Sequence, residues 1–215
     1  MSNKSYLELL ARGRAQLAGQ ISHVEIAPLS EMLIFILDRS GSMSISCGNV
    51  DRLQAAKTAC IALIDTRLNQ GADDQGAVMA FDDQATMILP FTGFRKHRGR
   101  IVRAINRITI GGATVIKEPL ALALNMLPGK GRVHIVLLSD GHGGQPGRYH
   151  RQLKDAGAVI ETIGVGNDPS EVDEPTLKNI ASVLNGKTLY RFIRDADELT
   201  DYFRTEIANR LTKRV

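Results

Sequence analysis

The most informative segment of the chain reads Met32-Leu33-Ile34-Phe35-Ile36-Leu37-Asp38-Arg39-Ser40-Gly41-Ser42. Its first six residues are apolar without alternation, which is typical of a strand covered on both faces of a parallel sheet. The polar residues from Asp38 onward predict a loop at the carboxyl end of that strand. A helix is expected next, because Asp51 stands at an N-cap position with Gln54 at the reciprocal position of a capping box, and Gly71 supplies an end.

The rest of the chain repeats this alternation of short apolar runs and amphipathic stretches. Further strands are predicted at 76–81, 85–89, 133–138, 159–165 and 188–192. Further helices are predicted at 95–107, 118–127, 149–156, 176–184 and 197–210. Asp82, Asp83 and Gln84 separate the second and third strands, which indicates a hairpin. The order of the elements predicts an α/β fold: a doubly wound, Rossmann-like, mostly parallel central sheet with helices on both faces.

The chain has 215 residues, which is enough for one large domain with a sizeable core. We expect a single domain over residues 29–215, because no repeat or linker divides that range. Residues 1–28 precede the first core strand and form a predicted N-terminal extension, helical and packed on the domain.

Composition excludes several classes of protein. Hydrophobic residues make up 43% and charged residues 23%, which excludes wholesale disorder. The two cysteines, Cys47 and Cys60, exclude a disulfide scaffold and a cysteine-based zinc site, and we expect both thiols to be reduced. The sequence does not begin with an apolar stretch of signal-peptide length. The most apolar runs, 32–37 and 133–138, are six residues each, whereas a helix that crosses a bilayer needs about 20. We therefore expect a cytoplasmic protein without membrane contact.

Three polar clusters fall at positions where folds of this kind carry their sites, mostly the carboxyl ends of strands. They are 38–42 after the first buried strand, 111–114 before a helix, and 139–141 after the second buried strand. The candidate metal-binding residues within them are two carboxylates and three hydroxyls: Asp38, Asp140, Ser40, Ser42 and Thr114. Such oxygen donors select a hard divalent cation, with Mg²⁺ as the first choice and Mn²⁺ or Ca²⁺ as alternatives.

The pattern Asp38-x-Ser40-x-Ser42, followed by Thr114 and Asp140, resembles the metal ion-dependent adhesion site of von Willebrand factor type A (vWA) domains. Residues 77–85 are similar to that family's second and third strands, and 138–141 and 163–166 to the ends of its fourth and fifth. The resemblance covers roughly residues 31–210, in the family's order, and points to the compact intracellular type.

The resemblance implies a role for each of these residues. Ser40, Ser42 and Thr114 would ligate the metal by hydroxyl, while Asp38 and Asp140 would act mainly through waters or hydrogen bonds to the ligands. A Glu or Asp of a partner protein usually completes the sixth position in this family. The expected function is a metal-dependent protein–protein interaction module, and the family's intracellular members often work beside ATPases, kinases or phosphatases.

Two other interpretations of the same residues stay open. Taken alone, Asp38, Ser40 and Ser42 also fit a polar turn whose side chains cap backbone amides. A metal-dependent phosphatase or other hydrolase using the same cleft is the alternative function, because Asp38 stands where other α/β families place a nucleophile. Those families usually carry a second acid two residues on, where this chain has Ser40. No Gly-x-Ser-x-Gly motif or Gly-x-x-x-x-Gly-Lys-Ser/Thr phosphate loop is present, so we expect no enzyme.

A basic stripe on the helix predicted at 95–107 is the remaining candidate surface: Lys96, Arg100, Arg103 and Arg107. A solvated helix face is the favoured interpretation, and contact with an acidic protein or a phosphate backbone is the alternative. Nucleic acid is not the expected partner, because the net charge is only +4, tryptophan is absent and aromatics are 5%.

Near the predicted metal residues, Arg39 is expected to be simply exposed or to hold a partner carboxylate. His142 is expected to be structural or solvated, and the acidic run 171–174 is expected to belong to a solvated loop.

Overall fold

The computed structural model describes residues 30–129 and 132–212. The predicted N-terminal extension at 1–28 lies outside these residues. No helix in the part of the chain that the structure describes combines the length and the apolarity needed to cross a membrane.

A six-stranded sheet forms the centre of the domain. Its strands are β1 (Met32–Asp38), β2 (Gln75–Phe81), β3 (Ala85–Gly93), β4 (Val133–Ser139), β5 (Val159–Val165) and β6 (Tyr190–Ile193). They lie in the order β6-β5-β4-β1-β2-β3. Every neighbouring pair is parallel except β2 and β3, which form the predicted hairpin. The predicted fold class is therefore confirmed.

Helices cover both faces of this sheet. They are α1 (Arg52–Asn69), α2 (Phe94–Asn106), α3 (Lys117–Met126), α4 (Tyr149–Asp155), α5 (Glu174–Ile180), α6 (Ala196–Tyr202) and α7 (Ala208–Thr212). Alternate residues of β1 divide between two apolar cores: Leu33, Phe35 and Leu37 pack with α1, α2, α6 and α7, whereas Ile34 and Ile36 pack with α3, α4 and α5. This two-sided burial explains why the strand contains no polar residue before Asp38.

The start of α1 is only partly as predicted. Asp51 Oδ1 accepts a hydrogen bond from the Gln54 backbone N–H at 2.6 Å, so Asp51 is the N-cap. The Gln54 side chain lies 3.4 Å from Thr58 Oγ1 instead of reaching back to the cap, so the reciprocal half of the capping box is wrong. Gly71, with φ of 79°, follows the helix in the left-handed conformation that favours glycine.

One helix boundary near the carboxyl end was predicted wrongly, and the last helix, although present as predicted, is irregular. The helix predicted at 176–184 ends at Ile180, and Val183–Leu184 pairs with Lys187–Thr188 in a small antiparallel ribbon. The turn between them is Asn185-Gly186, with both φ values positive, which is a hairpin signal stronger than the helical spacing around it. The last helix is also interrupted, because a π-helical turn at Phe203–Ile207 separates α6 from α7.

A buried polar network ties the last helices to the sheet. Glu161 of β5 is fully buried, and its Oε1 accepts hydrogen bonds from the Tyr202 hydroxyl at 2.6 Å and from Arg210 Nη1. Its Oε2 lies 3.1 Å from Nε2 of His134 on β4. Burial alone raises the pKa of Glu161, but the interactions with His134 and Arg210 outweigh it and lower that pKa to about 2.

A second buried ion pair lies beside the same helices. The guanidinium of Arg67 on α1 holds Asp74 through Nε at 2.6 Å and Nη2 at 3.1 Å, and both side chains are fully buried. Arg67 Nη1 also donates to Thr212 Oγ1 at 2.8 Å, which links α1 to the end of α7.

Candidate metal centre

The first and third polar clusters meet because their strands are neighbours. β1 ends at Asp38 and β4 at Ser139, and the two strands pair in parallel. The Ser139 hydroxyl donates to Asp38 Oδ2 at 2.6 Å, and the Gly141 N–H donates to Ser139 Oγ at 2.9 Å. Asp140 therefore starts a loop that is linked to the Asp38 carboxylate through the Ser139 hydroxyl.

The second cluster lies between the other two. The Gly41 N–H donates to the carbonyl oxygen of Gly112 at 3.0 Å, and the Ile116 N–H donates to the carbonyl oxygen of Gly143 at 3.0 Å. A Cβ atom on Gly143 would lie 3.1 Å from Cγ2 of Thr114, so the Thr114 side chain sits against the loop that follows Asp140. All three loops are therefore bonded to one another, and the five predicted residues lie in one region.

The turn after β1 arranges two of the hydroxyls. Asp38 Oδ1 accepts the Ser40 backbone N–H at 2.8 Å, and the Ser40 and Ser42 hydroxyl oxygens are 3.2 Å apart. Asp38, Ser40 and Asp140 are buried, whereas Ser42 and Thr114 are half-buried. The region is therefore closed below by carboxylates and reaches solvent past the Ser42 and Thr114 side chains.

The two carboxylates affect each other electrostatically. Burial, assisted by the nearby negative charge of Asp140, raises the pKa of Asp38 to about 6 against the opposing hydrogen bonds from Ser139 and Ser40. A buried carboxylate beside another one is stabilised by any cation that approaches both.

Arg52 is a charged residue of the site that no sequence pattern predicts. It is 1% exposed, its Nη1 lies 3.9 Å from Asp140 Oδ2, and its Nη2 pairs with Glu171. Its Nε is buried and has no hydrogen-bond partner within the described ranges, 30–129 and 132–212. The first residue after an N-cap usually faces solvent, and no local pattern marks Arg52 as an exception.

The prediction of a solvated acidic run at 171–174 was wrong in part, because Glu171 holds Arg52 and Asp173 caps α5 through the Thr176 N–H.

Arg39 lies at the rim of the site and is already paired. Its Nη2 is 2.8 Å from Asp82 Oδ2, and its side chain is 29% exposed. The Arg39 carbonyl accepts the Gly111 N–H at 2.7 Å, and a Cβ on Gly111 would lie only 2.1 Å from Asp82 Oδ2. Glycine at 111 is therefore required for this close approach.

The exposed His142 has its Nε2 3.0 Å from the Glu171 carbonyl oxygen, so its ring is held at the rim.

The donor set fits a hard divalent cation. Among residues 30–129 and 132–212, no group of three His, Cys, Asp or Glu side chains forms a metal-binding cluster, so a site here would depend on hydroxyls as well. Asp38 and Asp140 supply two negative charges, and the single positive charge of Arg52 is shared between Asp140 and Glu171. The negative charge that remains, together with three hydroxyl oxygens, suits Mg²⁺ better than a softer metal, which prefers nitrogen or sulfur.

Comparison with known proteins identifies relatives of this domain. The sequence matches the von Willebrand factor type A domain family over residues 33–142, which is just over half of the chain. No curated protein matches the sequence.

Several solved structures share the fold. A von Willebrand factor type A structure from Catenulispora acidiphila is 25% identical with a TM-score of 0.68, covering 86% of this chain and 44% of that one. The conserved hypothetical protein BatB of Bacteroides thetaiotaomicron is 21% identical with a TM-score of 0.66, covering 84% and 98%. The pilus adhesin SpaC of Lactobacillus rhamnosus GG is 15% identical with a TM-score of 0.69, covering 86% and 31%. The chain thus spans less than half of two of these three proteins.

Proposed function

Since the chain belongs to the von Willebrand factor type A domain family, whose domains commonly act in protein interactions, we propose that it is a metal-dependent protein-interaction module. Its site binds a Mg²⁺-type ion, with Mn²⁺ or Ca²⁺ as alternatives. The partner offers a Glu or Asp carboxylate to that ion. One observation carries the proposal: loops following β1 and β4 and preceding α3 are hydrogen-bonded together, with two buried carboxylates beneath three hydroxyls.

Each side chain of the site has its own role in this proposal. Ser40, Ser42 and Thr114 bind the ion by their hydroxyl oxygens; Ser40 is buried, whereas Ser42 and Thr114 lie on the side of the site that reaches solvent. Asp38 and Asp140 supply the negative charge and orient the hydroxyls from below. When bound, the ion supplies a polarising positive charge that attracts an anionic oxygen. Arg52 offsets part of the repulsion between the two buried carboxylates and keeps Asp140 in place.

The geometry does not favour a hydrolase that uses Asp38 as its nucleophile. Asp38 is fully buried, its Oδ1 accepts the Ser40 N–H, and its Oδ2 accepts the Ser139 hydroxyl. A nucleophilic carboxylate needs one oxygen free to approach a substrate. The carboxylate instead organises the loop, which is the role that binding requires.

Calorimetry with Mg²⁺ and with Mn²⁺ tests the metal site. We expect saturable binding by the wild type and at least a tenfold loss of affinity in the Ser40→Ala, Ser42→Ala double variant, because two oxygen ligands are removed. Ser46→Ala is the matched control, since Ser46 is exposed in the same loop and its hydroxyl donates to the Gly48 carbonyl. Absence of binding by the wild type, or equal binding by the double variant, would contradict the proposal.

Affinity purification tests the interaction itself. The wild type and the double variant are used as baits, each with Mg²⁺ and with a chelator. Proteins lost both in the variant and without metal are the expected partners, and mutation of their acidic residues is expected to abolish binding. A partner from an ATPase, kinase or phosphatase system and a cytoplasmic location are further parts of the proposal, tested by identifying these proteins and by cell fractionation. Hydrolysis of a generic phosphate ester that requires Asp38 would favour the enzyme instead.

A further inference from the structure

The positive charge of the protein is concentrated in one helix. The chain carries 27 basic and 23 acidic residues. Segment 94–107, which contains α2, carries six of the basic residues and none of the acidic ones. The remaining chain therefore has 21 basic and 23 acidic residues, so its net charge is −2. The net charge of +4 thus comes entirely from this segment.

Only two of these six basic side chains are neutralised by acidic neighbours. Arg98 pairs bidentately with Asp65, at 2.5 and 2.7 Å, and Arg95 lies 4.0 Å from Asp73. Within residues 30–129 and 132–212, the other four have no ion-pair partner, and all four are exposed: Lys96, Arg100, Arg103 and Arg107. An exposed cluster of like charge without counter-charges attracts an anionic partner.

Three of the four unpaired side chains line one groove. It has a volume of about 450 Å³ and lies between α2 and β3, which is an edge strand of the sheet. Arg100, Arg103 and Arg107 line it together with apolar residues, namely Ile88, Leu89 and Ala104. Leu89 is buried, and Ile88 is only partly buried, so apolar surface is accessible beside the charges.

The lining of the groove distinguishes between two anionic partners. A single-stranded nucleic acid gains much of its affinity by stacking bases on aromatic side chains, and no aromatic side chain is among the described residues that line this groove. An acidic peptide with apolar residues matches both parts of the lining. Its carboxylates meet the arginines, which bind carboxylates well, while its apolar side chains contact Ile88 and Leu89.

We propose that the groove between α2 and β3 is a second binding site, which takes a short acidic peptide segment of a partner protein with apolar residues between its acids. This site is independent of the metal centre. Recognition depends on Arg100, Arg103 and Arg107 and on the apolar surface that they flank.

Fluorescence anisotropy with labelled synthetic peptides of about eight residues tests this site. The first probe alternates Glu with Leu, and the second alternates Glu with Ser at the same charge. We expect saturable binding of the Glu/Leu peptide, weaker binding of the Glu/Ser peptide, and decreasing affinity as salt rises. The Arg100→Gln, Arg103→Gln, Arg107→Gln variant is expected to bind the Glu/Leu peptide about tenfold more weakly or worse.

A variant of equal charge is the matched control. Arg148→Gln, Arg151→Gln, Lys187→Gln removes three exposed cations elsewhere and is expected to bind within about twofold of the wild type. Circular dichroism and thermal denaturation confirm that both triple variants are folded. Replacing Mg²⁺ with a chelator is expected to leave peptide binding unchanged, which separates this site from the metal centre.

Several results would overturn the proposal. They are absence of saturable binding by the wild type, equal affinity for the two peptides, unchanged affinity in the groove variant, and loss of binding with the chelator. Equally strong competition by an oligothymidylate of the same charge would replace the acidic peptide with a nucleic acid as the occupant.

Discussion

Replacing Glu161 with glutamine is expected to destabilise the domain by about 3 kcal/mol near neutral pH. Glutamine keeps the shape and removes the charge that Arg210 and His134 stabilise. The pKa of Glu161 falls from its ordinary 4.5 to about 2 in the folded protein. One pKa unit corresponds to about 1.4 kcal/mol, which gives the magnitude of about 3 kcal/mol.

The pH dependence of this difference is the sharper test. A carboxylate whose pKa is lowered by folding contributes its full stabilisation above pH 4.5 and loses it as the pH falls towards 2. The free energy of unfolding of the wild type should therefore approach that of Glu161→Gln by about 2 kcal/mol between pH 7 and pH 3. Urea denaturation of both proteins over this range measures the convergence.

Glu206→Gln is the control for this experiment, because Glu206 is exposed on the same terminal helical segment. It should match the wild type within about 0.5 kcal/mol at each pH. A Glu161→Gln protein as stable as the wild type at pH 7, or a stability difference that stays constant down to pH 3, would refute the reasoning.

Three further predictions test the packing around the sites. Gly111→Ala should lower the stability measured by thermal denaturation by about 1–3 kcal/mol, because the new Cβ would lie 2.1 Å from Asp82 Oδ2. Gly112→Ala should be neutral, because a Cβ at residue 112 would have no atom of the described residues within 4 Å. Equal stability of the two variants would contradict this. Asp74→Asn should cost about 3–5 kcal/mol in urea denaturation, because it removes the carboxylate charge that the fully buried Arg67 guanidinium holds. Exposed Asp73→Asn is the control that must differ from it. Burial raises the pKa of the Cys60 thiol, so a thiol reagent should modify Cys60 only at the rate of global unfolding, and faster labelling would show that α1 opens locally.

The sheet was predictable because its central strands are covered on both faces. In β1 all residues before Asp38 are apolar, as two-sided burial favours, so the change at Asp38 marks both the end of the strand and the start of the site. The same change at Ser139 marks the end of β4. The proximity of the loops that begin at Asp38 and Asp140 follows from this pattern and the parallel pairing alone.

The buried charged residues of the domain were not predictable in this way. Arg52 and Glu161 are buried by contacts that are distant in sequence, with Glu171 and Asp140 in one case and Arg210 in the other. Helical or strand periodicity indicates the face on which a residue lies, but it does not reveal which partner residue stabilises a buried charge. The Asn185-Gly186 turn, in contrast, was visible in the sequence and was outweighed by the helical pattern beside it.

The place of β1 and β4 in the sheet has a consequence for how the proposed metal centre meets its ligands. These are the two innermost of six strands, so unzipping from either rim must detach two strands before it reaches them. Slow amide hydrogen exchange is therefore expected at the residues leading into Asp38 and Ser139. A binding region attached to these inner strands loses little conformational entropy when it binds a ligand. More of the free energy of the contacts is therefore retained as affinity.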